Sequence, residues 1–208
     1  MGDEVLFKYR STQNWKYLLD IFLRKRLYAA AYQEMNDPME GRFFYDNDKI
    51  CEEFIRAVQN QKKAWRICSL SQNHRNTLMW SYYADGHRGI VVGIRVKDPI
   101  AKGYTVKQVK YCQKVNLNEA WIKAGPEQVT LHILCQKQKS WKHEEEVRIF
   151  SRNTTFVNVE IAKVCFGVEI SRKDRDLISA LVKATAPEAE LVQLKRDQLD
   201  KPMEDFVH

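Results

Sequence analysis

A short segment at residues 139–150, KSWKHEEEVRIF, contains the densest group of side chains that could do chemistry. If it is a strand, its side chains alternate between two faces, so Glu144, Glu146 and Arg148 point one way. Glu145 then points the other way. Two carboxylates on one face can divide labour, one activating a nucleophile and one orienting a sugar hydroxyl or stabilising an electron-poor carbon. The pattern predicts an active-site wall, with a charge-alternating edge strand as the alternative.

Two other segments carry polar groups that suit a nucleotide. Ser69 and Ser71 share one face of a predicted strand and open a polar loop, where their hydroxyls could bind a ribose or an amide. Lys8 and Arg10 lie at the end of the first predicted strand and suit phosphate. The alternatives are an ordinary strand end with serine turns and ordinary surface cations.

An aromatic cluster lies in the middle of the chain. Trp80, Tyr82 and Tyr83 fall within a short predicted helix, and His87 follows it. Such rings can stack on a nucleobase or a nicotinamide ring, although Trp and Tyr on a short helix are also common in cores. His87 alone indicates little, because histidines are frequent at helix ends.

Acidic residues offer a second kind of chemistry. Asn36, Asp37 and Glu40 form either a turn or a site loop. Together with Glu144 and Glu146, the two acidic residues of this segment could supply oxygen ligands to the metal of a nuclease, whose sites leave little sequence signature. No phosphate-binding loop, dinucleotide fingerprint or zinc motif occurs, and we expect no metal.

The elements that must position these residues follow from hydrophobic periodicity and turn residues. Strands are predicted at residues 4–9, 27–31, 66–70, 89–96, 104–111, 144–150, 155–160, 163–168 and 190–194. Helices are predicted at residues 15–26 after an Asn14 cap, 49–65, 77–84, 118–124, 128–138 and after a Ser171 cap. The predicted class is α+β: a single domain, 1–208, with a mixed or antiparallel sheet of about six to eight strands and flanking helices. Residues 168–208 complete it with a helix and a strand.

Composition limits the function only broadly. A formal charge of +7 and a pI near 9.1 favour an anionic partner such as a nucleotide or a nucleic acid, although scattered surface cations explain the charge equally well. The five cysteines form no C-x-x-C pair, which is typical of reduced thiols in a cytoplasmic protein. No apolar run is long enough for a membrane span, so we expect no membrane partner.

Several short motifs together resemble the bacterial family known as domain of unknown function 2971. They are Phe7-Lys8-Tyr9-Arg10, Asn36-Asp37-Pro38-Met39-Glu40, Ser71 before Leu78-Met79-Trp80-Ser81-Tyr82-Tyr83-Ala84, His87-Arg88-Gly89, and Lys139 with Trp141 and Glu144-x-Glu146-x-Arg148. The resemblance extends to about Gly167, and Val147 departs from the aromatic residue expected there. The family name carries no activity, but it adds Tyr9 and Trp141 to the candidate site residues.

The order of these motifs also resembles, more distantly, the Arg, Ser, Glu layout of the ADP-ribosyltransferase fold. That resemblance implies NAD as substrate, with Arg10, aided by Lys8, on the diphosphate. It implies Ser71 or Ser69 on the nicotinamide ribose and Tyr83 against the nicotinamide, with His87 as a further cofactor-binding candidate.

The same resemblance assigns the carboxylates. Glu146 would hold the ribose hydroxyl and stabilise an oxocarbenium-like transition state, while Glu144 would orient the acceptor. This interpretation requires Arg10, Ser71, Tyr83 and Glu146 to converge on one cleft.

Three hypotheses therefore remain open from the sequence. The first is an NAD-dependent ADP-ribosyltransferase or NAD glycohydrolase, a toxin or antiphage effector modifying protein or nucleic acid. The second is a metal-dependent nuclease. The third is a non-catalytic module that binds nucleic acid or a partner protein through a basic surface.

Overall fold

The structure, a computed structural model, describes residues 4–46, 48–152 and 154–201. Its strands are β1 (Leu6–Arg10), β2 (Arg26–Tyr28), β3 (Arg66–Ser71), β4 (Ile90–Arg95), β5 (Thr105–Gln108), β6 (Lys110–Cys112), β7 (Gln136–Gln138), β8 (Glu146–Ser151), β9 (Phe156–Asn158), β10 (Glu160–Phe166) and β11 (Glu190–Gln193). Its α-helices are α1 (Trp15–Arg24), α2 (Glu52–Ala64), α3 (Thr77–Tyr83), α4 (Glu119–Ile122), α5 (Gly125–Ile133) and α6 (Arg172–Thr185). Short 3-10 helices lie at Tyr32–Glu34, Lys139–Glu144 and Arg196–Gln198.

A seven-stranded mixed sheet forms the centre of the molecule, in the order β11-β10-β4-β1-β3-β8-β5. Its neighbours are antiparallel except for β10 and β11. Two small ladders, β2 with β9 and β6 with β7, lie beside it. The predicted α+β class and strand number are confirmed.

The two faces of the sheet follow from period-two alternation along its strands. On one face, Leu6 of β1 and Val92 of β4 join an apolar core with Phe22 of α1. On the other face, Phe7 and Tyr9 pack with Met79, Trp80 and Val91 in a second apolar cluster. Burial on both faces explains the almost continuous apolar run of β4.

The sheet is split between β1 and β3. β1 is registered with β4 along its whole length, from Leu6 to Arg10, but with β3 only at Phe7 and Ser71. Further along β3, Ile67 instead exchanges backbone hydrogen bonds of 2.8 and 2.9 Å with Ala30. The two strands therefore separate and leave a cleft between them.

Several expected elements differ in the structure. The helix expected at 128–138 ends at Ile133, and residues 136–138 form β7 instead. The strand expected at 104–111 is divided into β5 and β6. Asn14 precedes α1, but its side chain makes no capping hydrogen bond.

The C-terminal third also departs from expectation. The strands expected at 155–160 and 163–168 do not pair with each other: β9 pairs with β2, and β10 lies between β4 and β11. Ser171 caps α6 as expected, accepting a hydrogen bond from the backbone N–H of Asp174. Residues 202–208 of the predicted C-terminal segment lie outside the described residues. Within the described ranges, no helix has both the length and the apolar character needed to cross a membrane.

Candidate active site

The cleft between β1 and β3 has a volume of about 330 Å³, which lies at the lower end of the range of small-molecule sites. β1 and β3 form two walls, and the chain around Tyr28 and Met35 forms a third. Residues from α3, β7 and the start of β8 close the end. Of the sequence candidates, Lys8, Tyr9, Arg10, Asn36, Ser69, Ser71, Tyr83, Glu144 and Glu146 line this cleft.

A chain of buried ion pairs lies at the closed end. Lys137 Nζ contacts Glu144 at 2.5 Å and Glu146 at 3.4 Å. Arg148 binds Glu146 through Nε at 2.8 Å and Glu40 through both terminal nitrogens at 2.5 and 2.9 Å. Arg148 also donates to the backbone carbonyl of the residue at position 134, so all three of its guanidinium nitrogens have hydrogen-bond acceptors. All five side chains are at most 6% exposed.

This ion-pair chain holds Glu146 ionised. Burial alone raises the pKa of the Glu146 carboxyl, but the Arg148 guanidinium and the Lys137 ammonium overcome that effect and lower it to about 2. The same carboxylates raise the pKa of Arg148 despite its burial. Glu40 is raised in pKa by burial, against the opposing effect of Arg148. Glu146 is therefore a buried, fixed negative charge at the end of the cleft.

Glu144 reaches the same place by a different route from the one expected. It is the last residue of the 3-10 helix, and only from Glu146 onward is the chain a strand. Glu145 between them has a left-handed backbone, with φ of 44°, which breaks the alternation. The prediction that one strand face carries both carboxylates is wrong, although both reach Lys137. Glu145 is exposed and accepts a hydrogen bond from Asn73, outside the cleft.

Tyr83 fixes Glu144 from the side of α3. Its hydroxyl donates to Glu144 at 2.6 Å and accepts from the Asn36 amide at 2.7 Å. Burial and the hydrogen bond to Glu144 raise the pKa of Tyr83, so its hydroxyl stays protonated at neutral pH. Tyr83 therefore both lines the cleft and orients one of its carboxylates.

Two cations lie on the opposite wall. Lys8 donates to the carbonyl of Ser69 at 2.6 Å, in the gap where the β1–β3 ladder is missing. Among the described residues, neither Lys8 nor Arg10 has an ion-pair partner, and Arg10 Nε is buried without a hydrogen bond. Burial and the neighbouring Arg10 lower the pKa of Lys8 to about 8. Unpaired cations facing a cleft are suited to an anionic ligand.

The two serines differ in availability. Ser71 is almost fully buried, and its hydroxyl both donates to the carbonyl and accepts from the N–H of Asn73. Ser69 approaches Glu146 closely enough to help lower its pKa, but its hydroxyl has no hydrogen bond of full geometry. Ser69 is thus the serine whose hydroxyl lies beside Glu146 and has no backbone partner.

Other sequence candidates lie away from the cleft. Trp80 is fully buried and donates to the carbonyl of His74, so it is a core residue. His87, with φ of 68°, stacks on Trp80 and contacts Ser81, so the structure does not place it at a cofactor site. Trp141 covers Lys137, whose Nζ lies 4.7 Å from its ring centroid.

The acidic residues proposed as metal ligands are either outside the cleft or already paired with a cation. Asp37 caps a local turn through the N–H of Met39 and lines a different cavity. Glu40 and Glu146 are bound by Arg148, and Glu144 by Lys137. Among the described residues, no group of three or more His, Cys, Asp or Glu side chains is placed to hold a metal ion.

Sequence reasoning missed Lys137, which contacts both carboxylates. Residues 128–138 were predicted as one helix, and that prediction gave no sign that Lys137 points inward. As a short strand, 136–138 directs one lysine inward and leaves the nearby Lys139 exposed. Tyr111 was also missed: its hydroxyl accepts from the N–H of Glu146 at 2.8 Å.

Comparison with known proteins gives two findings. Residues 79–149 match the family described as protein of unknown function (DUF2971). Among solved structures, "Thermus sp. 2.9 DarT in complex with ADP-ribosylated ssDNA" is similar, with a TM-score of 0.40, 10% identity, and coverage of 94% of this chain and 96% of that one. No curated protein matches the chain.

The matched segment contains Tyr83, Lys137, Glu144 and Glu146, and thus the closed end of the cleft. The predicted resemblance to the DUF2971 family is therefore confirmed over residues 79–149.

Proposed function

We propose that the protein breaks the nicotinamide–ribose bond of NAD and transfers the ADP-ribosyl group to an acceptor or to water. The observation that carries this proposal is a single cleft with unpaired cations on one wall and a buried, ionised carboxylate at its end. This arrangement suits a dinucleotide because the diphosphate needs positive charge and the reacting sugar develops positive charge of its own.

The cations would bind the diphosphate. Arg10 offers a buried Nε without a hydrogen bond, and Lys8 lies beside it. Gly89 supports this wall, because a Cβ there would lie 2.2 Å from the carbonyl of Arg10. The apolar side chains of Phe7, Met35 and others complete a surface for a planar ring.

Glu146 would act at the ribose. The C1′–N bond breaks with its electron pair leaving on nicotinamide, and C1′ becomes oxocarbenium-like. A carboxylate fixed by Arg148 and Lys137 offsets that charge without having to reorganise during the reaction. Ser69, which lines the cleft beside Glu146, would hold the ribose through its hydroxyl.

Glu144 would orient the nucleophile. Tyr83 holds one of its oxygens and Lys137 the other, which fixes the carboxylate in the cleft. The acceptor oxygen attacks C1′, and its proton passes to the Glu144 carboxylate and from there to solvent. With water the product is free ADP-ribose, and with a protein or nucleic acid it is an ADP-ribosylated macromolecule. Both reactions consume NAD in the cytoplasm, which is the basis for a role as a toxin or antiphage effector.

Release of nicotinamide from NAD by purified wild type and Glu146→Gln tests this proposal. The variant keeps Lys137 paired with Glu144 and Arg148 paired with Glu40, so we expect it to fold. We expect its turnover to fall at least about 100-fold, as for the loss of other electrostatic stabilisers of a transition state.

Glu145→Gln is the matched control, because Glu145 is exposed and outside the cleft. It should retain wild-type turnover. Wild-type turnover by a folded Glu146→Gln variant would refute the mechanism, as would a wild type that releases no nicotinamide with any acceptor or with water.

A further inference from the structure

A second surface lies next to the cleft, and we call it the Phe44 groove. It has a volume of about 120 Å³, and Arg42, Phe44, Gln113, Lys114, Lys137 and Gln138 are among its lining residues. Lys137 lines both the groove and the cleft. The groove therefore adjoins Glu144 and Glu146, where the proposed reaction takes place.

The groove is positively charged. Arg42 and Lys114 are exposed, and neither has an ion pair among the described residues. Lys139 is exposed and directly follows Gln138 of the groove wall in the chain, so its charge adds to that of the groove. The acidic residue of the lining, Asp37, is buried and occupied in its turn.

Phe44 gives the groove an exposed aromatic platform. Phe44 is 50% exposed, although its backbone is held by hydrogen bonds of 2.8 Å to Val115 and 2.9 Å from Leu117. Lys114 Nζ lies 5.5 Å from the ring centroid, so a cation borders the stacking face. An exposed ring on a fixed backbone can receive a flat ligand without a loss of chain entropy.

We infer that the Phe44 groove binds single-stranded nucleic acid and presents it to the cleft as acceptor, an inference that rests on the proposed function. A base of a single strand can stack on Phe44, while a duplex keeps its bases stacked inside. Arg42, Lys114 and Lys139 can neutralise the phosphates on either side. The amides of Gln113 and Gln138 can donate to and accept from base edges.

Binding of short fluorescent DNA and RNA oligonucleotides tests this inference by anisotropy, with Glu146→Gln as the parent protein so that no NAD chemistry intervenes. We expect Phe44→Ala to weaken binding of the single strands about tenfold. Tyr17→Ala removes a 60%-exposed ring from α1 and is the matched control, with no expected effect. Lys114→Gln should reduce the slope of log affinity against log salt by about 0.7.

Separate DNA and RNA arms show which sugar the groove accepts, and a duplex of the same sequence should bind more weakly. The inference would be overturned if no single-stranded oligonucleotide bound, or if Phe44→Ala bound the single strands as tightly as the parent. Preferential binding of the duplex would also overturn it. Nicotinamide release by wild type in the absence of oligonucleotide is measured separately, so loss of this inference and loss of the proposed function are distinguishable.

Discussion

Replacing Lys137 with methionine removes a buried cation that contacts both Glu144 and Glu146. Methionine has a similar length, so the change removes charge more than volume. Three carboxylates and two cations give the ion-pair chain a net charge of −1. Lys137→Met leaves −2, with two carboxylates facing each other at the end of the cleft.

The cost in free energy of unfolding follows from the burial of the two carboxylates that Lys137 contacts. Removing one partner of a buried ion pair costs about 3–5 kcal/mol, because the other charge stays buried without compensation. Lys137 supplies only part of the depression of the Glu146 pKa, after Arg148, so Glu146 keeps its Arg148 partner and the cost lies at the lower end of that range. We therefore expect the free energy of unfolding of Lys137→Met to be about 3 kcal/mol lower at neutral pH.

The dependence of the free energy of unfolding on pH should differ in sign between wild type and Lys137→Met. In the wild type, the folded-state pKa of Glu146 is depressed, so its stabilisation is present above the unfolded pKa of 4.5 and is lost as the pH falls toward about 2. In Lys137→Met, the buried Glu144 and Glu146 carboxylates repel each other without a cation between them. We expect this to raise the pKa of one of the pair above its unfolded value, so that the folded state takes up a proton as the pH falls. The variant should then regain stability as the pH falls from neutrality.

Urea unfolding at about pH 7.5 and about pH 5.5 measures both effects. Lys139→Met is the matched control: Lys139 is exposed two residues away and should show no change in stability. Adding Glu144→Gln to Lys137→Met restores the net charge of −1 and should recover most of the loss. Wild-type stability of Lys137→Met at both pH values would contradict this role of Lys137, and so would a double variant that is no more stable than Lys137→Met.

Three further changes test other parts of the site. Burial lowers the pKa of Lys8 to about 8, so the KM of the wild type for NAD should rise above about pH 8 as the ammonium deprotonates. In Lys8→Met the KM should be higher and independent of pH, and a variant that keeps the wild-type pH profile would contradict this. Tyr83→Phe removes the 2.6 Å hydrogen bond to Glu144 and should lower kcat for NAD about tenfold, with an effect on KM alone arguing against the assigned role. Gly89→Ala places a Cβ 2.2 Å from the carbonyl of Arg10 and should lower the free energy of unfolding by about 3 kcal/mol in urea titrations; wild-type stability would show that this contact relaxes.

The sequence determined the elements whose local signals are strong. The apolar, β-branched run of β4 and the Ser171 cap of α6 are visible in the chain itself, because periodicity and capping act between near neighbours. The same local signals failed at residues 155–168. Two adjacent strands there look like a hairpin, but each pairs with a strand distant in sequence, and sequence spacing does not specify such partners.

Many of the residues that line the cleft could also be selected from the sequence by their side-chain type. Arg10, Ser69, Tyr83, Glu144 and Glu146 were selected from the sequence, and all five line one cleft. The signal was a charged or hydroxyl-bearing side chain, because a strand or helix that only fills a core rarely carries such groups. The roles of these residues stay a proposal.

Only the tertiary structure decided which charges meet. The left-handed backbone at Glu145 brings Glu144 to the side of Glu146, and β7 inserts Lys137 between them. Arg148 is matched with Glu40, which lies 108 residues earlier. The energies of such buried charges depend on the distances between them and on their burial, and neither quantity can be read from the sequence. The sequence could therefore name the carboxylates, but only the folded chain determines that Glu146 is ionised and fixed in place.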